Sequence, residues 1–88
     1  MNTFDKLKEQ LDLMEWPNLY LYKFILPNEN EILAKVTALF DFETAKISFH
    51  ESGKGNYVSI TVKEIAFSVE QIIQKYQQAS EIKGVISL

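Results

Sequence analysis

The sequence predicts an α+β domain: a four-stranded antiparallel sheet with two helices on one face, preceded by a further helix. Three observations carry this expectation. Leu19–Leu26 is an almost unbroken apolar run, broken only by Lys23, as in a central strand. Two alternating runs flank the turn Ser52-Gly53-Lys54-Gly55-Asn56, as in a hairpin. Two segments with apolar residues at helical spacing each open on a capping signal.

Taken in order, Thr3 is positioned to cap a first helix reaching about Met14, with Phe4, Leu7, Leu11 and Met14 as a narrow apolar stripe. Trp16-Pro17-Asn18 closes it, because the proline ring disfavours helical geometry at the preceding residue. Leu19–Leu26 is the first strand, ended by Pro27-Asn28. Asn28 with Glu31 has the form of a capping box, and Ile32, Leu33, Val36, Leu39 and Phe40 predict a helix ending near Asp41. Ala45, Ile47 and Phe49 alternate with Lys46, Ser48 and His50 as the second strand. After the turn, Val58, Ile60 and Val62 alternate with Tyr57, Ser59, Thr61 and Lys63 as the third. Ser68-Val69-Glu70-Gln71 opens the last helix, where Val69, Ile72, Ile73, Tyr76 and Ala79 share a face. Gly84 stops it, and residues 85–88 form a short edge strand.

The order β-α-β-β-α-β, with right-handed crossovers, gives the ferredoxin-like two-layer sandwich, first and third strands central. With Val58, Ile60 and Val62 turned to the helices, Tyr57, Ser59, Thr61 and Lys63 face the other way, as do Lys23, Leu21 and Ile25. That open face is half apolar. The N-terminal helix is expected to lie across it or its edge, laying Phe4, Leu7, Leu11 and Trp16 over Leu21, Ile25 and Tyr57; the alternative is a mobile terminus. Residues 1–15 thus read as a helical extension and residues 16–88 as the domain proper.

At 88 residues, 47% hydrophobic and 24% charged, the chain is one compact folding unit. It holds no cysteine and one histidine, which removes disulfides, thiolate nucleophiles and Cys/His zinc sites. All nine basic residues are lysine, so bidentate guanidinium recognition is also absent. A net charge of −3 is the wrong sign for a protein that binds by neutralising phosphates, and nucleic acid is disfavoured. No apolar run is long enough to span a bilayer, and Met1-Asn2-Thr3-Phe4-Asp5-Lys6 lacks the layout of a signal peptide. The expectation is a cytoplasmic protein without membrane contact.

Reactive chemistry finds little support. His50, Glu51 and Ser52 supply the residue types of a triad, but neighbouring strand residues point to opposite faces. Glu29 and Glu31 sit where carboxylates complement a helix dipole. Metal-ligand spacing and phosphate-binding glycine loops are missing, so no catalytic residue, metal or cofactor is expected. Lys54-Gly55-Asn56-Tyr57-Val58-Ser59-Ile60 approximates an RNA-recognition strand, but it is one residue short and Asn56 stands where an aromatic is needed.

One family resemblance runs through residues 16–88. Trp16-Pro17, Tyr22-Lys23-Phe24-Ile25, Ser52, Gly55, Tyr57-Val58-Ser59-Ile60-Thr61, Ser68-Val69-Glu70-Gln71-Ile72, Tyr76 and Val85 through Leu88 resemble the YbeD-like bacterial proteins, domains of unknown function. The resemblance implies an ACT-like, ferredoxin-type fold and, by analogy with ACT modules, a regulatory role. ACT modules that bind amino acids use a glycine-containing loop after the first strand. Here that loop is Pro27-Asn28-Glu29-Asn30, without glycine and with acidic residues at the helix start.

The functional expectation is a non-enzymatic regulatory or protein-interaction module. It would engage a protein partner, or a second copy through sheet edges at residues 45–50 and 85–88. The alternative is a small-ligand sensor on the open face, with Lys23, His50, Tyr57 and Lys63 as the contacts.

Overall fold

The computed structural model describes residues 4–88, so the expected cap at Thr3 lies outside the described residues. Seven elements follow in order: α1 (Asp5–Leu11), β1 (Asn18–Pro27), α2 (Asn30–Thr37), β2 (Lys46–Glu51), β3 (Tyr57–Ala66), α3 (Val69–Ser80) and β4 (Ile86–Ser87). The strands lie in the order β2-β3-β1-β4, every pair antiparallel. This is the expected ferredoxin-like arrangement, with β1 and β3 central.

The central pairing sets the faces. β1 and β3 pair along their full lengths, from Asn18 opposite Ala66 to Pro27 opposite Tyr57. Alternation then sends Tyr22, Phe24 and Leu26, with Val58, Ile60 and Val62, to one side, where they are buried with Val36 of α2 and with Ile72, Tyr76 and Ala79 of α3. Aromatic rings dominate this core. Tyr22 lies 5.1 Å from Phe40 and 5.5 Å from Tyr76, centroid to centroid, in tilted contacts that add to simple area burial.

Local chemistry fixes the ends. Ser68 Oγ accepts the Gln71 backbone N–H at 3.2 Å, and Gln71 Oε1 accepts from the Phe67 N–H at 2.9 Å, closing the expected capping signal of α3. The hairpin turns at Gly55, whose φ of +73° lies where glycine is favoured. Asn28 departs from expectation. It does not cap α2; its side-chain amide donates to the Gly55 carbonyl at 2.8 Å and to Glu51 Oε1 at 3.3 Å. Glu29 holds the cap position without a side-chain bond. The asparagine thus ties the end of β1 to the hairpin.

Two helices are shorter than their apolar patterns. α1 ends at Leu11 rather than Met14, and Trp16 Nε1 donates to the Leu11 carbonyl at 3.2 Å. α2 ends at Thr37 rather than Asp41, where Thr37 Oγ1 bonds back to the Leu33 carbonyl and Lys75 Nζ takes the Leu39 carbonyl. Each of these side chains donates to a backbone carbonyl near the point where the helix ladder stops.

α1 docks, but not where the stripe was expected to lie. Leu11 is only 3% exposed within the helix-side core, Leu7 and Trp16 pack at its margin, and the Phe4 ring stacks on Tyr76 at 6.3 Å. The expected cover over Leu21, Ile25 and Tyr57 is therefore corrected: the helix joins the helical layer. The physical reason is what each site offers. Beside α3 the stripe meets the ring of Tyr76, whereas on the sheet it would lie against Lys23 and Lys63. The far face of the sheet stays open.

Candidate functional site

The open face is a grid whose rows are set by strand register. From β2 through β3 to β1, Lys46, Lys63 and Leu21 form one row and Ser48, Thr61 and Lys23 the next. His50, Ser59 and Ile25 form a third, extended by Ile86 of β4. Ile65 with Leu19 and Tyr57 with Pro27 close the two ends. Leu21, Tyr57 and Ile86 are 51%, 54% and 58% exposed. None of these positions is a carboxylate, because alternation places Glu51 and Glu64 on the helix side.

All four residues singled out from sequence, Lys23, His50, Tyr57 and Lys63, stand on this face, in two places. His50 and Tyr57 share a shallow depression of about 210 Å³ with Ile25, Ser52 and Ser59. Lys23 and Lys63 lie further along the sheet, and Lys63 is directly opposite Lys46. Lys46, Leu19, Ile65 and Ile86 belong to the same face and were not singled out. For Lys46, Leu19 and Ile65 the signal was present in the same alternation that selected the others, whereas Ile86 is placed by its register with Ile25.

The His50-Glu51-Ser52 sequence does not converge. His50 is on the open face, the Glu51 carboxylate accepts from Asn28, and Ser52 Oγ accepts the Tyr57 N–H at 3.2 Å. No group of three or more His, Asp or Glu among the described residues is placed to hold a metal ion. No helix there is long and apolar enough to cross a membrane.

A second depression, about 390 Å³, lies between the start of α2 and the turn before β4, lined in part by Pro27, Glu29, Glu31, Lys35, Lys83 and Gly84. Sequence reasoning missed it, because its walls are more than fifty residues apart. Glu31 and Lys35 pair across one helical turn at 3.4 Å, and both are well exposed. Its rim carries charges of both signs in contact with solvent, where ion pairs contribute little.

The sheet edges are unequal. β4 covers only Phe24 and Ile25 of β1, with one further bond from the Leu88 N–H to the Lys23 carbonyl, so among the described residues no strand lies on the outer side of residues 18–22. β2 leaves six residues at the opposite edge. Phe49 of β2 faces the helix side yet is 55% exposed, because none of the three helices covers it.

Known proteins agree with this architecture. The chain resembles in structure an uncharacterized protein from Thermotoga maritima, with a TM-score of 0.68 over 81% of this chain and 91% of that one, at 14% sequence identity. That likeness speaks to the fold alone. No curated protein matches the sequence. The family described as protein of unknown function, DUF493, matches residues 12–88, which takes in Leu11's neighbours as well as the segment that resembles YbeD-like proteins. The chain belongs to this family of proteins of unknown function.

Proposed function

We propose that the protein is a non-enzymatic regulatory or interaction module whose working surface is the open face of its sheet. One observation carries the reading: the chain's own amphipathic helix is docked in the helical layer, and Leu19, Leu21 and Ile65 are left half exposed together on the opposite face, with Ile86 exposed beyond Lys23. Clustered apolar exposure rimmed by polar groups is characteristic of surfaces that another molecule covers. Side chains that could do chemistry are engaged elsewhere, Glu51 with Asn28 and Ser52 with the hairpin backbone. The β2 edge and the uncovered part of β1 offer a second copy a route to extend the sheet. A cytoplasmic protein with no membrane contact fits the same reading.

The alternative is a small-ligand sensor in which His50 and Tyr57 act together, with Lys23 and Lys63 as more distant contacts. The depression they share favours it. At about 210 Å³ it is smaller than the usual range for small-molecule sites, and it is shallow.

The experiment compares the chain with its Leu19→Ser/Leu21→Ser variant, by affinity purification from the source cell and by sedimentation of the purified proteins. A stoichiometric partner, or a dimer, that disappears in the variant while the melting curve holds is the expected result. Identical companions and identical sedimentation for both proteins would remove the reading. Stabilisation of the chain by a metabolite, lost in His50→Ala, would favour the sensor instead.

A further inference from the structure

The open face is divided along its length. Over β1 and β4 the side chains are Leu19, Leu21, Ile25 and Ile86, interrupted by Lys23. Over β2 and β3 they are Lys46, Lys63, Ser48, Thr61, His50 and Ser59, with Ile65 at one end and Tyr57 at the other. Lys46 and Lys63 stand directly opposite each other, an arrangement in which like charges repel. Among the described residues neither they nor Lys23 have an ion-pair partner, and no carboxylate side chain shares the face. A chain with twelve acidic residues has placed none of them here.

An apolar lane beside a basic lane complements a particular shape. An α-helix is about 10 Å across with its side chains, and so covers about two strand spacings. Ten-residue strands run about 33 Å, the length of about six helical turns. A second copy of the same face would bring lysines against lysines. The chain's own amphipathic helix is already packed beside Tyr76.

We infer that the open face seats an amphipathic helix of a partner protein, apolar where it crosses β1 and β4 and rich in carboxylates where it crosses β2 and β3. This rests on the reading of the protein as an interaction module. The carboxylates supply the counter-charges that Lys46, Lys63 and Lys23 lack, and the hydroxyls of Ser48 and Thr61 lie between them as donors. Desolvation of the apolar lane supplies the affinity, and the charges set orientation and partner choice.

The test uses an 18-residue helical peptide with a leucine stripe and glutamates on one adjoining flank, and a second in which every glutamate is lysine. Each is titrated into the full isotope-labelled chain and followed by NMR. The glutamate peptide is expected to shift residues 19–25, 46–50 and 59–65, and to bind at least about tenfold more tightly than the lysine peptide. Lys46→Glu/Lys63→Glu should reverse that preference and Lys63→Gln should weaken it, each with the melting curve retained. Equal binding of the two peptides, no binding of either, or shifts confined to the helical layer would overturn the inference. So would a single-stranded RNA or phosphatidylglycerol vesicles engaging these residues more tightly than the glutamate peptide. If Leu19→Ser/Leu21→Ser abolishes partner association in cells while the charge reversals leave it intact, the interaction module stands and the acidic helix falls.

Discussion

Tyr22 lies wholly inside the core, and its hydroxyl has no hydrogen-bond partner among the described residues. Its neighbours Tyr20 and Tyr76 solve the same problem by pairing their hydroxyls at 2.9 Å. An unsatisfied buried hydroxyl carries its desolvation cost without return, so Tyr22→Phe should be neutral or stabilising by up to about 1 kcal/mol. Tyr76→Phe, which leaves Tyr20 without its partner, should destabilise by about 1 kcal/mol. Urea denaturation of the two variants separates these signs. Burial also pushes both the Tyr22 and Tyr76 hydroxyls above the ordinary tyrosine range, and at Tyr76 the bond to Tyr20 adds to the effect. A hydroxyl raised in the folded state retains its proton there while the unfolded chain releases it. Stability should therefore hold up to about pH 10, the ordinary tyrosine value, and fall as pH rises beyond it. The double variant Tyr22→Phe/Tyr76→Phe should flatten that alkaline fall.

At the scale of elements, the strands and α3 were legible in sequence because their signals are local. Alternation, a glycine turn and a serine cap each declare themselves within a few residues. The ends of α1 and α2 were not, because the apolar spacing runs on past them while the carbonyls there are met by the side chains of Trp16, just beyond α1, and of Lys75, in α3. Asn28 was misread for a related reason: its capping position in sequence gave way to a hairpin that lies 27 residues further along. The docking of α1 was expected but its side was not, since a stripe states that it must be covered and not by what. Leu11→Ala should cost between about 2 and 5 kcal/mol, as for other buried leucines, where a helix loose in solvent would lose almost nothing. Gly84 makes a sharper element test. Its φ is +87°, and a Cβ there would meet Pro27 Cγ at 3.0 Å, so Gly84→Ala should cost at least about 1 kcal/mol and loosen β4. Gly53→Ala, in open space and without positive φ, should be tolerated. Thermal melts of the two alanine variants make the comparison.

For the whole molecule, the two faces of one sheet have different fates. The helix side is packed by three helices around an aromatic core, except over Phe49 of β2, while the other side keeps apolar and basic lanes uncovered. Lys23, His50, Tyr57 and Lys63 could be placed on that face from alternation alone. That Lys46 stands opposite Lys63 and Ile86 opposite Ile25 depended on strand register, which pairs residues 17 and 61 positions apart and is not written locally in the chain. The central claim is that the open face, and not the helical layer, meets the partner. A photoreactive amino acid placed at Leu21, or at the exposed Gln74 on the outside of α3, tests this in the source cell. A discrete protein adduct from position 21, lost in Leu19→Ser and absent from position 74, is the result expected. Adducts from position 74 with none from position 21 would contradict the account.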